Sequence, residues 1–138
     1  MHLFPGLEWA QELGKRLNAL PEYRDSSEKW SGTLVMAVLA EPGKLDKDVA
    51  IGLDPTGGLI RDVHLVENHK TAAVDFVLAG KYSFWKGVLN GKHDILSGVV
   101  TGKVRLRGNV FRLMLQLKTP DIIIREMRNL PRLFVDEA

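Results

Sequence analysis

Few residues in this sequence are placed to do chemistry. His64 follows Asp62 by two positions in "LIRDVHLVE". In an extended segment residues i and i+2 share a face, so the pair is spaced for acid–base work or for part of a metal site. Asp75 lies in the otherwise apolar run "AAVDFVLAG", where burial would perturb a carboxyl group and make it a candidate base. The bland alternative, which we prefer, is that Asp75 faces the open side of a sheet. His2, His69 and His93 are scattered, and no carboxylate–histidine pair has the helical spacing of a metal site. The sequence therefore assigns no catalytic residue, no metal ligand and no cofactor. Cysteine is absent, which excludes thiol catalysis, disulfides and cysteine metal centres.

The second pattern is a repeat. "KGVLNGK" (Lys86 to Lys92) returns as "SGVVTGK" (Ser97 to Lys103). A Gly-Lys after a glycine-spaced run suggests a phosphate loop, but such a loop needs four residues between its glycine and its Gly-Lys, followed by Ser or Thr. Only three residues separate Gly87 from Gly91 and Gly98 from Gly102, and His93 and Val104 stand where the hydroxyl is required. Each Gly-Lys also ends an apolar helical stripe instead of opening a helix. Gly91 and Gly102 read as left-handed residues just past a helix, with Lys92 and Lys103 favourably placed near its negative end. Gly87 and Gly98 fall inside the two helices, at roughly 1 kcal/mol each relative to alanine. They mark either close helix packing or two weakened helices forming a movable wall over a cavity.

The elements that must position these residues follow from periodicity. "LEWAQELGKRLNAL" sets Leu7, Ala10, Leu13, Leu17 and Leu20 on one helical stripe, and Pro21 opens a second short helix. From Ser31 the chain is rich in Val, Leu and Ile, with "EPGKLDKD" and "PTGG" as turns. Four strands are predicted here as an antiparallel meander, the last alternating Val74, Phe76 and Leu78 with Ala73, Asp75 and Val77. Short helices near Ser83–Asn90 and Asp94–Thr101 come next, the second capped by Asp94, then a half-buried fifth strand "VRLRGN". The tail "VFRLMLQLKTPDIIIREMRNLP" holds helical segments broken near Pro120, where Thr119 or Asp121 could cap a fresh start.

The 138 residues fit one domain, residues 1–138, large enough to bury about two-thirds of its unfolded surface. The net charge of +2 is too small to call for nucleic acid. No apolar run is long enough to span a bilayer, and "MHLFPGLEWAQ" lacks the regions of a signal peptide, so a cytoplasmic domain is expected.

The order of "VDFVLAG", "FWKGVLNGK", "DILSGVVTGK" and "VRLRGN" resembles the sterol-carrier-protein type of lipid-binding domain (the non-specific lipid-transfer family), in its stand-alone prokaryotic form. The likeness is specific over about Ala72 to Leu117, and "LNALPEYRDSSEKWSGTL" looks like the leader of stand-alone members. Asn109 stands where the family usually has Asp, and "FVDEA" lacks the peroxisomal address of many eukaryotic members. The resemblance implies an α+β fold: a mixed five-stranded β-sheet covered on one face by helices, with an apolar tunnel between them. It implies a non-catalytic carrier whose partner is a lipid, either fatty acid, fatty acyl-CoA or sterol, with transient contact to a membrane surface and a monomeric or homodimeric state.

Candidate ligand-binding residues are Phe76, Val104 and Leu106 on strands, Trp85, Val88, Leu89, Ile95 and Val99 on the paired helices, and Phe111, Met114 and Leu115 in the tail. The tail supplies more apolar surface than a small core needs, and about a third of it is expected to face the cavity. Two other readings stay open: a small cone-shaped α+β enzyme using Asp62, His64 or Asp75 as base, and an oligomerisation module holding a partner in the same groove.

Overall fold

The computed structural model describes all 138 residues. The chain opens with β1 (His2–Phe4), followed by helices α1 (Leu7–Asn18) and α2 (Pro21–Ser27). Strands β2 (Leu34–Leu39), β3 (Val49–Leu53), β4 (Val63–Val66) and β5 (Phe76–Lys81) come next. Then follow α3 (Tyr82–Leu89), α4 (Ile95–Val100), β6 (Val104–Arg107), α5 (Val110–Met114), α6 (Lys118–Asn129) and β7 (Arg132–Phe134). The sequence patterns give no sign of β1 and β7, which pair in parallel as a separate two-stranded sheet.

The five-stranded sheet is mixed, with order β4-β3-β2-β5-β6. Three of the strands expected as a meander do form one, since β2–β3 and β3–β4 are antiparallel. The fourth does not continue it: β5 returns to the centre and pairs in parallel with β2, Leu34 opposite Phe76 and Ala37 opposite Ala79. The reason is the stretch between β4 and β5, which carries the chain back across the sheet. Val74 packs there against the cluster of Val35, Ala37, Ala50, Val77 and Ala79, while Arg107 on β6 donates to the carbonyls of His69 and Ala72 at 2.8 and 3.0 Å. These small side chains are buried on the face opposite the helices, leaving Leu34, Ile51, Leu53 and Phe76 to the main core.

α1 turns Trp9, Leu13 and Leu17 inward at helical spacing, and Pro21 occupies the first turn of α2. The break in the tail falls at residues 115–117, so Pro120 sits in the first turn of α6 and neither Thr119 nor Asp121 is its cap. Thr119 instead shares a buried 2.6 Å hydrogen bond with Ser27 of α2.

α6 is held at its polar positions. The Glu126 carboxylate, its side chain 6% exposed, accepts from Arg16 of α1 at 2.8 Å and from Arg125 at 3.0 Å, and Arg125 forks onto Glu22 of α2. Further along, Arg128 donates to the carbonyl of Val88 at 2.8 Å, which also accepts from the Gly91 amide at 3.1 Å, and Arg132 donates to the carbonyl of Leu89 at 2.8 Å at the end of α3. Burial raises the Glu126 pKa, but the two guanidiniums outweigh it and leave the carboxyl below its ordinary value of 4.5. A lowered folded pKa gives stability that is present above the unfolded value and lost as pH falls through the folded one. Glu126→Gln should therefore cost about 2 kcal/mol at neutral pH, because it weakens two charge-assisted hydrogen bonds and leaves Arg16 without its anion, while Arg125 keeps Glu22. The deficit relative to wild type should shrink below pH 4.5 in urea titrations.

Candidate functional site

Between the helices and the sheet lies a cavity of about 380 Å³. Its floor is the sheet face carrying Leu34 and Met36 of β2, Ile51 and Leu53 of β3, Leu78 of β5 and Leu106 of β6. These positions follow the two-residue alternation of strands, all on the face toward the helices. Trp9, Ala10 and Leu13 of α1 close one side, Trp85 of α3 and Ile95 and Val99 of α4 another, and Ile123, Ile124 and Met127 of α6 the roof. Leu96, Val100, Val110 and Met114, between 42% and 86% exposed, form its lip. Of 25 lining residues 22 are hydrophobic; the other three are Pro120 and two carboxylates, Asp94 and Asp121. No histidine, lysine or arginine lines it.

The expected ligand-binding residues divide. Trp85, Ile95, Val99, Leu106 and Met114 line the cavity. Phe76, Val88, Leu89 and Val104 do not: each is buried solidly in the core. Phe76 packs under Trp30 and the Arg112 guanidinium, and Val104 lies against the close contact between α4 and Phe84. Phe111 and Leu115 also miss the cavity, being 72% and 73% exposed on the outer side of α5. A five-residue helix gives little more than one turn to divide between inside and outside, and Val110, Leu113 and Met114 take the cavity side. The tail contributes more than the expected third. Val110, Leu113, Met114, Leu117, Ile123, Ile124 and Met127 line the cavity, whereas Phe111, Leu115 and Ile122 do not. Sequence reasoning missed the α1 wall and the β2–β3 floor. Their signal was the alternation of Leu34 with Met36 and of Ile51 with Leu53.

The two glycine-bearing helices behave as helix ends require. Gly91 and Gly102 take φ of +76° and +78° with open space around them, so conformation alone calls for glycine. Asp94 caps α4 by accepting from the Ser97 amide at 3.1 Å, and Asn109 caps α5 through the Arg112 amide at 3.0 Å. Gly87 and Gly98 are packing glycines. A Cβ on Gly98 would overlap the Phe84 ring and Val104, and one on Gly87 would overlap the His93 ring, which itself stacks on Phe84 at 5.0 Å. The close-packing alternative thus accounts for both.

The groups weighed as bases lie outside the cavity. Asp62 and His64 pair at 2.8 Å with side chains 61% and 53% exposed. Asp75 precedes β5 instead of lying within a strand on the open face. It accepts from the Thr33 amide at 2.9 Å and from Arg112 at 3.2 Å, and the Thr33 hydrogen bond, aided by Arg112, holds its pKa below the ordinary range. Trp85 donates Nε1–H to the Ala37 carbonyl at 3.0 Å, which fixes its ring over the cavity. No group of three or more metal-ligating side chains is present.

The fold that frames this cavity has known counterparts. The profile of the SCP-2 sterol transfer family matches residues 11–119. The chain belongs to that family. A crystal structure of sterol carrier protein 2 is 29% identical over 91% of this chain and 98% of its own, with a TM-score of 0.80. A Thermus thermophilus protein, described as possibly a sterol carrier protein, is 28% identical over 93% of this chain and 90% of its own, also with a TM-score of 0.80. The apo sterol carrier protein 2 of Yarrowia lipolytica shares the fold at 16% identity over 89% of each chain, with a TM-score of 0.61. No curated protein sequence matches the chain. The SCP-2 fold is the α+β arrangement of a five-stranded mixed sheet with helices described above. No helix is long and apolar enough to cross a membrane.

The packing of the SCP-2 repeat sets a measurable contrast. Gly98→Ala gains about 1 kcal/mol of helix propensity but must push buried Phe84 or Val104 aside, at roughly 1–3 kcal/mol. Gly87→Ala meets only an exposed histidine ring that can swing outward. Urea unfolding should show Gly98→Ala destabilised and Gly87→Ala near wild type. Equal losses would contradict the packing account.

Proposed function

We propose that this SCP-2 family protein is a non-catalytic, cytoplasmic lipid carrier that holds one long-chain ligand in the cavity as in a tunnel. The ligand classes are fatty acid, fatty acyl-CoA and sterol-like molecules. The observation that carries the reading is the lining: 22 hydrophobic residues around about 380 Å³, within the range of small-molecule sites. Each methylene that leaves water for such a lining contributes about 0.8 kcal/mol, so a long chain supplies ample driving force without any polar anchor. An enzyme working on the same ligand would need an acid or base inside, yet Asp62, His64 and Asp75 lie elsewhere. Asp94 is engaged in capping α4, and Asp121 lies in the first turn of α6. Trp85, Ile95, Val99, Leu106 and Met114 are the residues of the original set proposed to touch the ligand.

Displacement of a fluorescent fatty-acid probe tests the reading. A one-to-one complex near micromolar affinity, about −8 kcal/mol, is expected; absence of saturable binding across fatty acids, acyl-CoAs and sterols would end it. Val99→Phe fills cavity space without adding polarity and should shorten the longest chain accepted. Lys92→Ala and Lys103→Ala, which follow the helix-ending glycines, should leave affinity unchanged. If the lysine variants lost binding while Val99→Phe kept its chain-length preference, the ligand would lie elsewhere.

A further inference from the structure

Large apolar side chains are not spread evenly over the surface. Of ten that are exposed, six (Leu96, Val100, Val110, Phe111, Met114 and Leu115) belong to α4, α5 and the residue that follows α5. Scattered exposed hydrophobics need no explanation, but a contiguous group marks an interaction site. Four of the six form the lip of the cavity. The other two, Phe111 and Leu115, are one helical turn apart on the outer side of α5 and touch no ligand space.

Directly behind Leu115 lies a second, polar pocket. Lys29, Arg112 and Lys118 line it with Ser26, Gln116 and Thr119, and no carboxylate does. Arg112 is paired with Asp75, whereas Lys29 and Lys118 make no ion pair. Two carboxylates near the lip oppose this charge: Asp94, engaged with the Ser97 amide, and Asp121, three residues beyond Lys118 on α6. The surface thus joins an apolar ridge to a basic pocket beside the opening through which a ligand must pass.

We propose that the α4–α5 face docks on an anionic phospholipid bilayer, with Phe111, Leu115 and Val100 entering the acyl boundary and Lys29, Arg112 and Lys118 receiving lipid phosphates. This rests on the carrier reading, since it brings the cavity mouth to the lipid phase and spares the ligand chain a passage through water. Basic groups beside an apolar patch are complementary to an anionic leaflet and add to insertion. A second copy of the chain meeting this face through a two-fold axis would bring the same three cations toward one another, which disfavours self-association here.

Sedimentation with phosphatidylcholine vesicles, with and without phosphatidylglycerol, tests the docking on the full chain. Binding should require or strongly favour phosphatidylglycerol and weaken with salt. Phe111→Ser combined with Leu115→Ser should weaken it at least tenfold, with folding checked by circular dichroism. Lys29→Ala and Lys118→Ala should each cost about fivefold, the equivalent of about 1 kcal/mol per basic residue, and leave fatty-acid probe affinity unchanged. Three results would overturn the proposal: vesicle binding indifferent to all four substitutions; soluble coenzyme A or pyrophosphate saturating the basic pocket while no vesicle binds; or a concentration-dependent dimer abolished by the Phe111 and Leu115 changes. Saturable probe binding with no vesicle binding would end the docking proposal alone, whereas loss of probe binding in wild type would end the carrier reading.

Discussion

The fold depends on keeping a helix away from the sheet it covers. α6 turns Ile123, Ile124 and Met127 toward the sheet, and in an ordinary two-layer domain those side chains would interdigitate with the strands and close the gap. Here they border empty space, so packing alone cannot fix the helix. Polar contacts do it instead: the buried Glu126 carboxylate drawn to Arg16 and Arg125, the Ser27–Thr119 hydroxyl pair, and Arg128 on the end of α3. Unlike apolar contacts, these bonds have fixed lengths and directions. They set the separation of the layers without requiring the space between them to be filled.

The rest of the wall follows from that frame. Arg128 and Arg132 lie beyond the cavity's span of α6 and take up α3 carbonyls, so the roof and the α3 wall are registered to each other through backbone atoms. Trp85, locked to Ala37, and the tight seat of Gly98 against Phe84 and Val104 then hold α3 and α4 on the sheet. The wall is rigid where it meets the strands and apolar where it meets the void.

Much of this was legible in the residues. Period-3.6 and period-2 patterns located the helices and the five strands of the main sheet, and the glycine arithmetic of the Gly-Lys repeat distinguished helix ends from a phosphate loop. The parallel pairing of β5 with β2 was not legible from the strands themselves, because pairing partner depends on where the connection runs, and the Arg107 contacts that tack it down span 35 and 38 residues. The site was legible only in part for a related reason. Apolarity says that Val88, Leu89 and Phe76 are inside, but solid core and cavity lining have the same composition. What separates them is the placement of Glu126, Arg128 and Thr119, polar residues whose partners are distant in sequence.

The small β1–β7 ladder bears on the kinetics of folding. It joins His2 to Arg132 and Phe4 to Phe134, so it closes nearly the whole chain into one loop for the sake of three residue pairs. Loop-closure entropy grows with the logarithm of loop length, and parallel pairs are slightly weaker than antiparallel ones. So short a ladder cannot nucleate the fold. It zips once the main sheet and α6 have already brought its strands together. β7 runs directly into Val135–Glu137, where Asp136 accepts from Tyr82 at 2.5 Å and from Lys86 at 3.0 Å on α3. The segment that follows this ladder therefore also tethers α3, the helix that carries Trp85 into the cavity wall.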